Sequence, residues 1–129
     1  GHITVVPETW KLEYLSTPSG TTTVPTATVR ISKKAEDSDE KEYFEDAGVG
    51  DGPVDAALKA IDRLTKVRGK LMHYLIRASS QGKDALGEVT IKADFGDNNL
   101  ISGKGAGTDI VESSARAYLN AVNRFLHGR

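Results

Sequence analysis

Hydrophobic positions follow two different periods along this chain, and the order of the two repeats. Trp10, Leu12 and Tyr14 alternate with Lys11 and Glu13, and Ala27, Val29 and Ile31 alternate with Thr28 and Arg30, the spacing of strands with one buried face. A third strand is expected over Glu42 to Ala47. It follows the run Glu36-Asp37-Ser38-Asp39-Glu40, whose charges suit a solvated hairpin tip. The period then changes: Pro53 occupies a favoured first-turn position, and Val54, Ala57, Leu58, Ile61 and Leu64 form one helical stripe.

The same order then recurs. A strand is expected around Leu71 to Ala78, and a second where Val89, Ile91, Ala93 and Phe95 alternate with Thr90, Lys92 and Asp94. Beyond the turn signal Gly96-Asp97-Asn98-Asn99 a short third strand spans Leu100 to Gly103. A closing helix runs from about Asp109 to Leu126, with Val111, Ala115, Tyr118, Val122 and Phe125 on its stripe and Thr108 or Asp109 as its cap. Ser113, Ser114, Ala115 and Ala117 keep one side of it thin, which admits close approach by another element.

Two glycine blocks reinforce the duplication. Gly48-Val49-Gly50-Asp51-Gly52-Pro53 and Gly103-Lys104-Gly105-Ala106-Gly107-Thr108 each precede a helix, and the helices carry the related stretches Ala60-Ile61-Asp62-Arg63 and Ala121-Val122-Asn123-Arg124. Read as loops, these blocks form paired cradles suited to a small ligand. The expected fold class is α+β: two βββα repeats with pseudo-two-fold symmetry, their antiparallel sheets packed with helices. The organisation is read as one domain over 1–129, with repeat 1 at about 10–66 and repeat 2 at about 68–127.

Composition narrows the function classes. At 129 residues the chain is long enough to bury a substantial core. The absence of cysteine excludes a disulfide framework and a thiol nucleophile. A net charge of -1, from 17 basic and 18 acidic residues, gives no electrostatic footprint for nucleic acid or an anionic membrane. The apolar runs fall far short of a membrane span, so a soluble cytoplasmic protein is expected.

Three segments together carry a family resemblance. Gly50-Asp51-Gly52-Pro53-Val54-Asp55-Ala56, Gly82-Lys83-Asp84-Ala85-Leu86-Gly87 and Gly107-Thr108-Asp109-Ile110-Val111-Glu112-Ser113-Ser114-Ala115 closely resemble the C-terminal regulatory domain of 2-isopropylmalate synthase. The resemblance extends from about Trp10 to the end. It includes Leu12-Glu13-Tyr14, Ser19-Gly20 and Thr26-Ala27-Thr28-Val29. Citramalate synthase carries a similar domain. The resemblance implies a homodimer that binds an end-product amino acid near its interface: leucine for isopropylmalate synthase, isoleucine for citramalate synthase. It also implies a separate metal-dependent barrel that condenses acetyl-CoA with a 2-oxo acid. A barrel of that kind exceeds this chain in length, so the domain is expected to be catalytically silent, without cofactor or metal of its own.

An amino-acid effector needs donors for its carboxylate, an acceptor for its ammonium and a small apolar cup. Helix N-termini with glycine loops meet the first need, which points to Gly50, Gly52, Pro53 and Val54 or to the repeat near Gly107. The ammonium falls to carbonyls or to Asp84. The cup carried over from the resemblance comprises Tyr74, Ala78, Ala85, Leu86 and Val54. Each has a plainer reading. The glycines serve equally for close backbone approach, Tyr74, Leu86 and Val54 for the core, and Asp84 for a turn cap. Asp109 and Glu112 are better helix-terminus residues than acid and base, and His73 has no second ligand at metal spacing. Against the effector-binding domain stand a purely structural dimerisation module, with the thin side of the last helix as its interface, and a small enzyme or phosphate binder. The latter lacks the Lys-Ser or Lys-Thr of a phosphate loop.

Overall fold

A computed structural model describes residues 7–18, 24–79 and 86–128. Eight elements follow in the order β1 (Glu8–Ser16), β2 (Thr26–Ala35), β3 (Lys41–Val49), α1 (Pro53–Thr65), β4 (Lys70–Ser79), β5 (Leu86–Asp94), β6 (Leu100–Gly107) and α2 (Ile110–His127). They form two three-stranded antiparallel sheets, ordered β1-β2-β3 and β4-β5-β6, each followed by its helix. The expected βββα duplication is thus the observed one.

Helix α1 packs on β2 and β3, and α2 on β5 and β6; the helices meet each other, and α2 also reaches across to β1. One core results, filled by Ala27, Val29 and Ile31 from the central strand of the first sheet, Val89, Ile91 and Ala93 from that of the second, and Ile61, Tyr118, Leu119 and Val122 from the helices. Both hydrophobic stripes read from the sequence face this core, with Val54, Leu64, Val111 and Phe125 at its margins. Phe95 stacks between Tyr118 and Phe125, with ring centroids 6.1 and 4.7 Å away.

The glycine blocks do not form a pair of cradles. Gly48 lies in β3, and Gly103, Gly105 and Gly107 lie in β6, which continues four residues past its expected end. Their glycines let each helix settle directly on its third strand. A Cβ on Gly48 would stand 2.3 Å from Ala56 O and 2.9 Å from Ala60 N; one on Gly103 would stand 2.1 Å from Ala117 O and 2.7 Å from Ala121 N. Gly105 meets Ser113 O at 2.3 Å in the same way. No real Cβ survives such distances. The thin side of α2 is therefore spent within the chain: Ser113, Ser114, Ala115 and Ala117 are all buried, which removes that side as a dimer interface.

Tyr14 is a second correction. Strict alternation would bury it beside Leu12, yet it is 54% exposed. The register slips between these two residues, so Leu12 faces Ile31 while Tyr14 faces the exposed Arg30. A bulge adds one residue to the strand and turns every later side chain to the other face.

The connections obey local chemistry. The acidic run turns between β2 and β3, where Ser38 N donates to Ala35 O at 3.2 Å and Lys34 Nζ donates to Ser38 O at 2.8 Å. In the β5–β6 hairpin, Asp97 and Asn98 take positive φ of 55° and 57°, the backbone that a tight two-residue turn demands and that Asp and Asn tolerate.

Candidate functional site

The residues proposed from sequence fall into two groups, one in each repeat. Gly50, Gly52, Pro53 and Val54 surround the start of α1. Gly52 is its N-cap, extended at φ -162°, and no side chain caps the helix. Open space surrounds the Gly52 Cα, with nothing within 4 Å of an added Cβ. Gly50 is different: a Cβ there would meet Asp55 Oδ2 at 2.4 Å and Ala56 N at 2.6 Å, so the fold alone accounts for this glycine. Asp55 accepts the Asp51 N–H at 2.9 Å and pairs with Lys59 at 3.0 Å. The Asp51 amide bond, ahead of Lys59, holds its carboxyl below the usual value.

Tyr74 and Ala78 lie on β4, and Leu86 begins β5. Ala78 pairs with Gly87 and Ser79 with Leu86, so Ala78 and Leu86 occupy adjoining strand ends. Asp84 and Ala85 lie outside the described residues. Tyr74 pairs with Ile91 on the side of the sheet that faces α2, and its hydroxyl is hydrogen-bonded to Ser114 Oγ on that helix.

Strand β4 is where the structure departs from a closed body. Leu71, Tyr74 and Ile76 pair with Ala93, Ile91 and Val89, so all three point to the helix-facing side. The β5 partners are fully buried, yet Leu71, Tyr74 and Ile76 remain 38%, 36% and 47% exposed. The reason is geometric: α2 spans β5 and β6 and crosses to β1, so among the described residues β4 packs principally on β5. Met72 and Leu75 add to this exposed apolar strand. A strand apolar on both faces at a sheet edge is the signature of a surface meant to be covered. The α2 N-terminus beside it is already served by a side chain, since Asp109 Oδ1 accepts the Val111 N–H at 3.1 Å.

A cleft of about 670 Å³ lies elsewhere, lined by Gly48, Val49, Lys59, Asp62, Arg63, Lys66, Val67 and Arg68. It contains none of the proposed effector residues. Arg63 pairs with Asp46 at 3.2 Å and donates to Ala47 O at 3.1 Å; its counterpart Arg124 donates to Ser102 O, also at 3.1 Å. These cations thus serve strand carbonyls and complement the C-termini of their own helices, Arg63 that of α1 and Arg124 that of α2. At the cleft wall Asp62 accepts the Tyr118 hydroxyl, and Gly69 N donates to Tyr118 Oη at 3.1 Å. Burial pushes the Asp62 carboxyl up to about 6, outweighing the bonds from Tyr118 and the Gly69 amide and the charge of Arg68. Burial likewise raises the Tyr118 phenol, with the Asp62 bond next in importance.

Sequence reasoning missed Ser114 as a partner of Tyr74 and missed Asp62 and Asn123 as linkers between the repeats. The signal for the last two was present, because each is a polar residue set directly after a core position in the repeated stretches Ala-Ile-Asp-Arg and Ala-Val-Asn-Arg.

The body is a duplicated α+β domain with an apolar edge strand left uncovered in the single chain. The chain belongs to the family described as the LeuA allosteric (dimerisation) domain, which matches residues 3–126. It is 47% identical over 121 residues to a 2-isopropylmalate synthase of Carboxydothermus hydrogenoformans, a match covering 94% of this chain and 23% of that protein. The 2-isopropylmalate synthase of Heliobacterium modesticaldum is 48% identical over 120 residues, covering 93% and 22%. That of Methylacidiphilum infernorum is 42% identical over 126 residues, covering 98% and 24%. The chain therefore spans about a quarter of the length of these relatives.

Proposed function

We propose that this domain is the leucine-responsive dimerisation domain of a cytoplasmic 2-isopropylmalate synthase, whose catalytic part condenses acetyl-CoA with 2-oxoisovalerate. The observation that carries the reading is the exposed apolar face of β4, Leu71, Tyr74 and Ile76, in a chain of the LeuA allosteric family. An isolated chain that leaves such a face in water is stabilised by covering it with a second copy. The two groups of proposed effector residues also lie in separate repeats, and a dimer gives them a route to one pocket. The open, uncapped start of α1 at Gly52 supplies amides for the effector carboxylate, and the β4 face supplies apolar contact for the side chain.

Leucine is the favoured effector because the relatives are named for the synthase of the leucine branch. Leucine and isoleucine differ by one methyl position, worth about 1–3 kcal/mol in an apolar pocket. The test is isothermal titration of this chain with leucine, isoleucine and valine. Saturable leucine binding with weaker competition by the other two is expected. A preference for isoleucine would move the domain to citramalate synthase, and no binding of any of the three would leave a purely structural dimerisation module.

A further inference from the structure

We propose that the cleft beside the C-terminal end of α1 is a binding site for a small dianion, a phosphate or a dicarboxylate. Lys59, Asp62, Arg63 and Lys66 recur at helical spacing along one side of α1, so one helix brings all four to the cleft. The chain leaves that helix at Lys66, whose left-handed backbone, φ 60°, turns it into Val67 and Arg68. Val67 is buried and Arg68 exposed, so the connection adds an apolar wall and a fourth cation. A volume of about 670 Å³ is that of a small-molecule cleft.

The charges around it are unequally answered. Lys59 pairs with Asp55 and Arg63 with Asp46, whereas Lys66 and Arg68 make no ion pair among the described residues. The lining holds one carboxylate, Asp62, which accepts the Tyr118 hydroxyl from the other repeat. The carbonyl end of α1 is also engaged within the chain, since Lys66 N donates to Asp62 O and Thr65 Oγ1 to Ile61 O, each at 2.8 Å. Two cations without an acid of their own fit a ligand with two negative charges, and the Arg68 guanidinium can offer parallel donors to a carboxylate or phosphate.

The fold does not require these cations. The same positions on α2 are Asn120, Asn123, Arg124 and His127, and each meets backbone of the chain itself. Asn120 Nδ2 donates to Lys104 O at 2.6 Å, Asn123 bonds both backbone groups of Trp10, Arg124 donates to Ser102 O, and His127 Nε2 lies 2.8 Å from Glu8 O. Lys59 and Lys66 stand where Asn120 and His127 stand, yet they line an open cleft. Packing accounts for the first set and leaves the charges of the second unexplained.

The test is titration of this chain at low salt with inorganic phosphate, succinate and acetate. Saturable binding of phosphate or succinate at one site per chain is expected, about tenfold tighter than acetate because a second charged contact is made. Phosphate ahead of succinate assigns the site to a phosphorylated ligand, and the reverse order to a dicarboxylate. Arg68→Gln and Lys66→Gln should each weaken the better probe about tenfold, the loss of a hydrogen bond between charged groups, with the melting temperature unchanged. Lys104→Gln removes an exposed lysine of the second repeat that has no ion pair among the described residues, and should leave the affinity as it was. Absence of saturable binding, acetate equal to the dianions, unchanged affinity in Arg68→Gln, or an equal loss in Lys104→Gln overturns the proposal and leaves a solvated basic surface.

Discussion

Asn123, in the last helix, grips the backbone of Trp10, in the first strand, from both sides: its Oδ1 accepts Trp10 N–H at 2.8 Å and its Nδ2 donates to Trp10 O at 2.8 Å. The amide is buried and joins residues 113 positions apart. Replacing it with alanine strands both backbone groups, so Asn123→Ala should lower stability by about 2–4 kcal/mol. Asn123→Asp keeps the acceptor but sets a carboxylate oxygen against Trp10 O, and should be worse at neutral pH than at pH 4. Urea unfolding at both pH values checks this; equal midpoints for wild type and Asn123→Ala would sink it.

Asp62 holds the equivalent helix position in the first repeat, and it meets Tyr118 rather than a peptide backbone. Burial lifts its folded pKa to about 6, well above that of an exposed aspartate. The folded state therefore binds its proton more tightly than the unfolded state does. This favourable contribution is full below about pH 4 and is lost as pH rises through 6. Asp62→Asn removes the ionisation. Relative to wild type, the variant should gain stability between pH 4 and pH 7, on the order of 1 kcal/mol after solvent screening. A pH-independent difference between the two would refute the assignment.

Gly103 and Gly52 make a matched pair for substitution. Gly103→Ala drives a Cβ into the α2 backbone, 2.1 Å from Ala117 O, and should cost about 3 kcal/mol or more by lifting the helix off its strand. Gly52→Val enters open space from an extended backbone, so the chain should fold as before, while leucine binding is lost as the start of α1 is blocked. Thermal melts and titrations separate the two effects. Unchanged leucine affinity in Gly52→Val would exclude this helix terminus as the carboxylate site.

The β4 face predicts self-association. Ile76→Lys places a charge on the exposed apolar edge, at a position 47% open in the single chain. Fold stability should stay within about 0.5 kcal/mol of wild type, while dimer dissociation in sedimentation equilibrium should become at least tenfold easier. An equally tight dimer would place the interface elsewhere.

Much of the fold was legible because it rests on short-range chemistry. The alternation at Ala27, Val29 and Ile31, the stripe from Val54 to Leu64, Pro53 at a helix start and Asp109 as a cap all act within a few residues. What failed were inferences about spacing between elements. Gly105 and Gly107 read as a loop because glycine is common in loops, whereas they continue β6 under α2, less than a side chain away. The bulge after Leu12 sent Tyr14 outward, since register depends on the partner strand as much as on the strand itself.

The sequence by itself thus determined the order of elements, the duplication and the apolar faces, because periodicity and turn chemistry are properties of neighbouring residues. The tertiary structure alone decided which faces were covered. It buried the small side of α2 against β6, left Leu71, Tyr74 and Ile76 partly exposed at the sheet edge, and set Ser114 against the Tyr74 hydroxyl and Asn123 against Trp10. Those outcomes depend on where two helices of unequal length come to lie over two sheets, a relation between residues that no local pattern encodes.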